Sequence, residues 1–286
     1  MNKNIVINSF SGGRTSAYMT KYMMDNLSHK YEFINIFANT GQEHEKTLDF
    51  INKCDNNFGF NTVWVEAVVH SEAGKGNTHK IVDYKTACRD GYLFEEMIKK
   101  HGIPNTAFPH CTRELKLAPI NSYLRSIGLK RKNIQMAIGI RADENRRVRK
   151  DASKVKIIYP LIDLGVDKKD VLDWWKQQPF DLQISEHEGN CMWCWKKSTV
   201  KHFLNLTNNP DWYDVPDLLE KKYPFVGADY RKEEPPKYRR VFFRKNMSVD
   251  MLKEALKLAN GNLLPVNEDT NSCAESCELF ETEFIE

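Results

Sequence analysis

Two constellations in this chain of 286 residues carry reactive chemistry, a glycine-rich turn and a set of cysteines. The turn is Ser11-Gly12-Gly13-Arg14-Thr15-Ser16. It follows a short apolar run and opens a helical pattern, the place where free backbone N–H groups and the helix dipole favour an anion. Gly12 and Gly13 let the backbone approach a ligand without a Cβ in the way. Ser11, Thr15 and Ser16 supply hydroxyls, and Arg14 a forked cation. The pattern S-G-G-x-x-S is neither a G-x-x-x-x-G-K-[ST] loop nor a G-x-G-x-x-G loop. Seven cysteines stand at 54, 88, 111, 191, 194, 273 and 277. Cys191-Met192-Trp193-Cys194 sets two thiols on one side of a tight turn, as a metal or cluster needs. His187, Cys191, Cys194 and Cys111 could hold zinc tetrahedrally. A redox dithiol or plain buried thiols satisfy the same spacing. Cys54 reads as core.

Charged residues surround both. Arg141, Arg146, Arg147, Arg149 and Lys150 crowd the end of one apolar run, and Arg113 and Lys116 share a helix face at i, i+3. Glu43, Glu66, Asp143 and Glu144 are carboxylates that could position Mg²⁺ or simply cap and solvate. Arg231, Lys232, Lys237, Arg239, Arg240, Arg244 and Lys245 interleave with Tyr230, Tyr238, Phe242 and Phe243. That mixture suits a single-stranded nucleic acid or an inward-packed C-terminal element. Trp174, Trp175, Trp193 and Trp195 are expected around the sheet edge and the cysteine site.

Apolar runs at 4–10, 31–38, 62–69, 135–140 and 154–161 read as strands, with helical spacing between them. The β-loop-α-β-α-β order predicts a parallel sheet with right-handed crossovers and ligands at the strands' carboxyl ends. Those ends carry Ser11–Ser16, Asn39–Glu43 and Glu66–His70. Polar residues 70–90 read as a loop, and 112–126 as one helix. Hydrophobic residues make up 41% and charged residues 28%, which fits a globular domain and excludes a disordered chain. No apolar run approaches a membrane span, and MNKNIVINSF is too short a run for a signal peptide. A cytoplasmic protein without a membrane partner is expected, and the odd cysteine count argues against a disulfide framework. Residues 267–286 hold seven acids and no Lys or Arg, so the formal charge of +3 becomes +10 for the rest. A basic body suits a polyanionic ligand.

The turn SFSGGRTSAYM resembles the PP-loop of ATP pyrophosphatases, which have an adenine nucleotide α-hydrolase-like fold. FANTGQEHEKTLDF resembles the F-A-[DN]-T-G-x-E…T-L-x-F segment of the phosphoadenosine phosphosulfate (PAPS) reductase family. HCTRELKLAPI resembles that family's C-T-x-x-L-K-x-x-P segment, and GIRADENRR its G-x-R-x-x-E/Q-x-x-R strand exit. The four segments lie in family order across roughly residues 4–200. The resemblance implies a Rossmann-like parallel sheet with helices on both faces and a helical C-terminal appendage. It implies a PP-loop domain over 1–200, a helical basic region over 201–266 and an acidic tail over 267–286.

By the same resemblance, ATP and Mg²⁺ are the expected ligands. Ser9, Ser11, Gly12, Gly13, Arg14, Thr15, Ser16, Asn39, Thr40, Gly41 and Gly139 would bind the nucleotide. Arg14, Lys116 and Arg141 would act on its phosphates. Cys111, Cys191 and Cys194 would hold a [4Fe-4S] cluster by three irons, with zinc as the alternative. The implied activity is cleavage of ATP between the α and β phosphates to adenylate an acceptor, followed by sulfur transfer. The implied partners are the adenine nucleotide, a nucleic-acid or small-molecule acceptor, and a sulfur or electron donor protein. The chain departs from the family in two places. Arg14-Thr15 stands where many members have Lys-Asp, and ESCEL (275–279) lacks the Gly and His of the reductases' E-C-G-[IL]-H. Two alternatives remain: a sulfonucleotide reductase using Cys277, and a nucleic-acid-binding protein without turnover.

Overall fold

The computed structural model describes residues 3–72, 74–227 and 238–259. Its centre is a six-stranded sheet built from β1 (Asn4–Ser9), β2 (Tyr31–Ala38), β3 (Val63–Val68), β4 (Thr78–Val82), β5 (Gln135–Ile138) and β6 (Ile157–Ile158). The spatial order is β4-β3-β2-β1-β5-β6. All neighbours are parallel except β3 and β4. The order runs one way from β1 to β3 and the other way through β5 and β6. The crevice between β1 and β5 is therefore the topological switch point, where ligands of such sheets bind.

Strand alternation divides the core. Val6, Phe37, Trp64 and Ala137 face one side, against α1 (Arg14–Leu27), α2 (Glu45–Phe58) and α6 (Lys168–Trp175). Ile7, Ile36, Val65 and Met136 face the other, where α4 (Ala118–Ser126) lies. The sheet is thus covered on both faces, as buried parallel sheets must be. A third cluster joins α3 (Tyr92–His101) to the cysteine loop and to α7 (Thr199–Asn208), α8 (Asp214–Lys222) and α9 (Val249–Leu258). It contains Cys111, Cys191 and Cys194 together with Leu206, Tyr213, Leu219 and Leu252, so residues on both sides of position 200 share one core. The short α5 (Pro160–Asp163) completes the helices named here.

Three local readings differ from the sequence expectation. The expected loop at 70–90 contains β4, an edge strand antiparallel to β3, with Trp64 opposite Val82 and Val68 opposite Thr78. Its short run and polar partners hide it from a periodicity argument. The strand expected at 154–161 pairs only over Ile157–Ile158. The single helix expected over 112–126 is present and continuous, but its first turns are wound differently. Residues Arg113–Leu117 form a π-helical turn, closed by the Ala118 N–H donating to the Arg113 carbonyl, before α4 begins. Pro119 lies in the first turn of α4 and cannot donate to the residue four before it, so the winding widens there. The basic segment around Tyr230–Lys237 and the acidic residues 267–286, with Cys273 and Cys277, lie outside the described residues.

The C-terminal helices are tied by one buried carboxylate. Glu220 on α8 is 1% exposed and accepts the backbone N–H groups of Phe242 at 2.8 Å and Val249 at 2.9 Å. Burial raises its pKa to about 7, against the opposing pull of those two N–H groups. The folded state thus holds the proton more tightly than the unfolded state. The stability this gives is complete below the unfolded value of about 4.3 and is lost as pH rises through about 7. Glu220→Gln should flatten the stability profile across that window by about 2–3 kcal/mol. Urea unfolding at pH 4.5, 6 and 8 measures this, and parallel wild-type and variant profiles would refute it.

Candidate functional site

The turn after β1 builds the floor of the main cleft. Gly12 has φ of +80°, and a Cβ there would stand 2.7 Å from Cγ2 of Thr47 and 2.9 Å from Cδ1 of Ile51. Only glycine accepts both conditions. The Ser11 N–H donates to Oγ of Ser16 at 3.2 Å, and the two hydroxyl oxygens are 3.0 Å apart. The Ser16 hydroxyl donates to the Gly13 carbonyl at 3.0 Å. These bonds lock the turn. Helix α1 starts directly after it with Gly13 at the N-cap, no side-chain cap and no acid in its first turn. Its first N–H groups, which lack intrahelical acceptors, are left for an anion. Gly139 after β5 closes the other wall. A Cβ there would be 2.9 Å from Cα and 3.1 Å from N of Ser16, so the two backbones touch.

The cleft encloses about 950 Å³, counting its open mouth. Ser11–Ser16, Gly139 and Arg141 line it, joined by Thr47, Glu144, Arg147 and Lys168 and by residues of 182–190. Arg141 is buried and donates to Asp143 through Nε and Nη2, each at 2.9 Å, and to Oγ1 of Thr15 at 3.3 Å. Its hydrogen bonds hold the Asp143 carboxyl below the usual carboxylate range. Glu144 lies between Arg141, at 3.5 Å, and Arg147, at 2.7 Å. The wall's two guanidiniums are therefore buttressed by two carboxylates, which keeps its charges fixed in place.

Arg14 lines the cleft, and its side chain is already engaged. Its guanidinium donates to both oxygens of Asp181, at 2.7 and 2.9 Å, and to the Leu182 carbonyl. Asn39, Thr40 and Gly41 lie after β2 and do not line this cleft. Asn39 donates to Glu66 at 2.7 Å and to the Cys88 carbonyl at 2.9 Å. Thr40 bonds Glu43 through its N–H at 3.0 Å and its hydroxyl at 2.7 Å. Glu43 and Glu66 therefore hold the turn after β2 instead of facing the phosphate loop. Ser9 is buried at the end of β1.

The three predicted cysteine ligands do come together. Cys111, Cys191 and Cys194 line one small apolar pocket with Thr40, Lys116 and the rings of Phe94, Trp193 and Trp195. All three thiols are buried. Sγ of Cys191 is 3.3 Å from Oγ1 of Thr40, and Nε1 of Trp195 donates to Sγ of Cys111 at 3.4 Å. The Thr40 hydroxyl hydrogen is already given to Glu43, so the Cys191 thiol is the donor in that contact. The C-x-x-C loop is pinned from behind. Lys197 Nζ donates to the carbonyls of His187 at 2.7 Å and Met192 at 3.1 Å, and Asn205 donates to the same two, each at 3.1 Å. Met192 N–H donates to the Gln42 carbonyl at 2.8 Å.

Lys116 faces this pocket, not the phosphate loop. Trp193 and Trp195 surround the thiols as expected, whereas Trp174 and Trp175 pack with Phe58 and Phe180 on the far side of the sheet. His187 does not line the thiol pocket. Among the described residues no three His, Cys, Asp or Glu side chains are arranged to hold a metal ion. The thiols share a pocket, but as placed they are not a finished metal cage. Cys88 stands apart, its thiol donating to Asp90 at 3.0 Å and pushed up to about 11 by burial.

The two regions adjoin along the chain. Gly189 and Asn190 line the main cleft, and the next residue, Cys191, lines the thiol pocket. Asn190 takes a left-handed conformation, φ of 64°, at that step. Sequence reasoning missed Thr47, Lys168, Asp181 and Asn190. The polar turn EHEGN before the cysteines was the available signal for the last.

Among the described residues no helix is long and apolar enough to cross a membrane. Residues 5–164 match the model of the phosphoadenosine phosphosulfate reductase domain. The chain is 33% identical over 283 residues to the uncharacterized nin region protein ORF290 of Escherichia phage lambda, covering 95% of this chain and 94% of that one. It is 30% identical over 128 residues to an uncharacterized protein of Methanocaldococcus jannaschii, covering 43% of this chain and 24% of that one. A switch-point cleft floored by a serine–glycine turn, with a family match across more than half the chain, places this protein in the phosphoadenosine phosphosulfate reductase family.

Proposed function

We propose that this protein is an ATP-using PP-loop enzyme that cleaves its nucleotide between the α and β phosphates, adenylates an acceptor, and delivers sulfur to it at the thiol pocket. The observation that carries the reading is the uncapped N-terminus of α1, opening into a cleft lined by Asn190, whose neighbour in the chain, Cys191, lines the thiol pocket. The phosphates would lie on the Ser11–Ser16 turn, with Mg²⁺ arriving on the nucleotide. An acceptor oxygen attacks the α phosphorus, the bond to the bridging oxygen breaks, and pyrophosphate leaves with the electron pair. Helix N–H groups and the buttressed cations Arg141 and Arg147 stabilise the developing charge. The adenylated acceptor is then attacked by sulfur, and AMP leaves.

Cys111, Cys191 and Cys194 are the groups suited to hold that sulfur or a soft metal. A cluster or zinc ion would supply sulfide binding or thiolate activation there. Lys116 orients the acceptor's anionic groups beside them. A nucleic-acid base and a small metabolite both satisfy this chemistry as acceptors.

Gly139→Ala forces a Cβ against the Ser16 backbone and should weaken ATP binding at least about tenfold while leaving the circular dichroism spectrum intact. Calorimetry measures it, and wild-type affinity would reject the placement of the phosphates. Cys191→Ser should abolish sulfur transfer and spare pyrophosphate release, separating the two halves of the site. Release of sulfite from a sulfonucleotide, with no pyrophosphate from ATP, would replace this reading by a reductase. Iron and acid-labile sulfide assays on anaerobically purified protein test the metal: near-stoichiometric iron lost in Cys111→Ser supports a cluster, and zinc or none removes it.

A further inference from the structure

Arg14 belongs to two places. Its backbone begins α1, beneath the proposed phosphate position, and its carbonyl accepts from Nε1 of Trp175 at 3.0 Å. The residue lines both the main cleft and a second, polar groove. It forms the paired bond to Asp181 with side chains 27% and 41% exposed, a modestly held ion pair.

From Asp181 the chain runs along the cleft as a strap to Asn190 and enters the thiol pocket at Cys191. Cations tie this strap along its length. Besides Arg14, Lys46 donates to the Gln183 carbonyl at 3.0 Å, Lys168 pairs with Glu186 at 3.2 Å, and Lys197 holds the His187 carbonyl. Arg14 and Lys168 also line the cleft. A nucleotide polyphosphate carries more charge than one half-exposed carboxylate and matches the guanidinium fork at least as well. It would compete for the cations that hold the near end of the strap, while the far end stays fixed at the thiols.

We propose that Asp181 is a positioning residue that holds Arg14 until nucleotide phosphates take it, and that the released strap carries nucleotide occupancy to the thiol pocket. This rests on the nucleotide reading above. Linkage makes the coupling reciprocal: a change at the thiols alters nucleotide affinity by the same factor.

Hydrogen–deuterium exchange of strap amides 182–190, with and without saturating ATP·Mg²⁺, tests it on the full chain. Binding is measured by calorimetry on the same samples. Wild-type strap amides should exchange at least about fivefold faster with nucleotide. Asp181→Asn should exchange fast without nucleotide and gain little from it. It should also bind ATP about fivefold more tightly, since no ion pair has to be broken; fivefold is about 1 kcal/mol at 1.4 kcal/mol per decade. A merely structural Asp181 would instead give weaker binding and a lower Tm in the variant, and that outcome overturns the proposal. Unchanged or slower strap exchange with ATP bound overturns it too and leaves the nucleotide reading standing. Absence of calorimetric binding removes both. If the variant does not fold, the wild-type exchange decides alone.

Discussion

The contact between Gly139 and the backbone of Ser16 is the constraint from which the site follows. β1 and β5 pair in parallel, with Ser9 opposite Ile138, so the loops leaving them emerge side by side. They can remain side by side only if one carries no side chain at the point of contact. That contact fixes the start of α1, and with it the direction of the helix dipole. It also brings Arg141, two residues beyond Gly139, within reach of Thr15. The ion-paired wall is then a consequence of strand pairing and one missing Cβ.

The thiol pocket has a different origin. Its parts come from the turn after β2, from the π-helical turn before α4 and from the loop before α7, and no single strand pairing unites them. Aromatic burial does so, through Trp193 against Phe94 and Phe242. The C-terminal helices supply much of that cover, so they act as the outer wall of the site. Lys197 is buried in this cluster, and the ammonium is tolerated because two carbonyls accept from it.

The parts legible in the sequence are those whose signal is local. The glycine turn and the parallel strands around it were readable from residue type and spacing, and the meeting of Cys111 with the C-x-x-C pair was what the family resemblance implied. What escaped depends on partners far apart in the chain. Arg14 and Asp181 are 167 positions apart, so nothing near Arg14 announces that its charge is engaged. Lys116 sits in a family segment whose motif says nothing about which of two adjoining regions its side chain enters. The edge strand β4 is specified by β3 opposite it, since its own residues alternate too weakly to mark a strand.

The π-helical turn at Arg113–Leu117 holds one residue more than an α-turn closed by the same carbonyl would. An α-helix advances about 100° per residue. Rewinding the same residues as ordinary α-helix would instead rotate Cys111, at its leading edge, by roughly a quarter of a revolution relative to α4. The thiol would leave the pocket although no cysteine had been touched. The widened winding between Cys111 and Pro119 is therefore as much a part of this site as the sulfur itself.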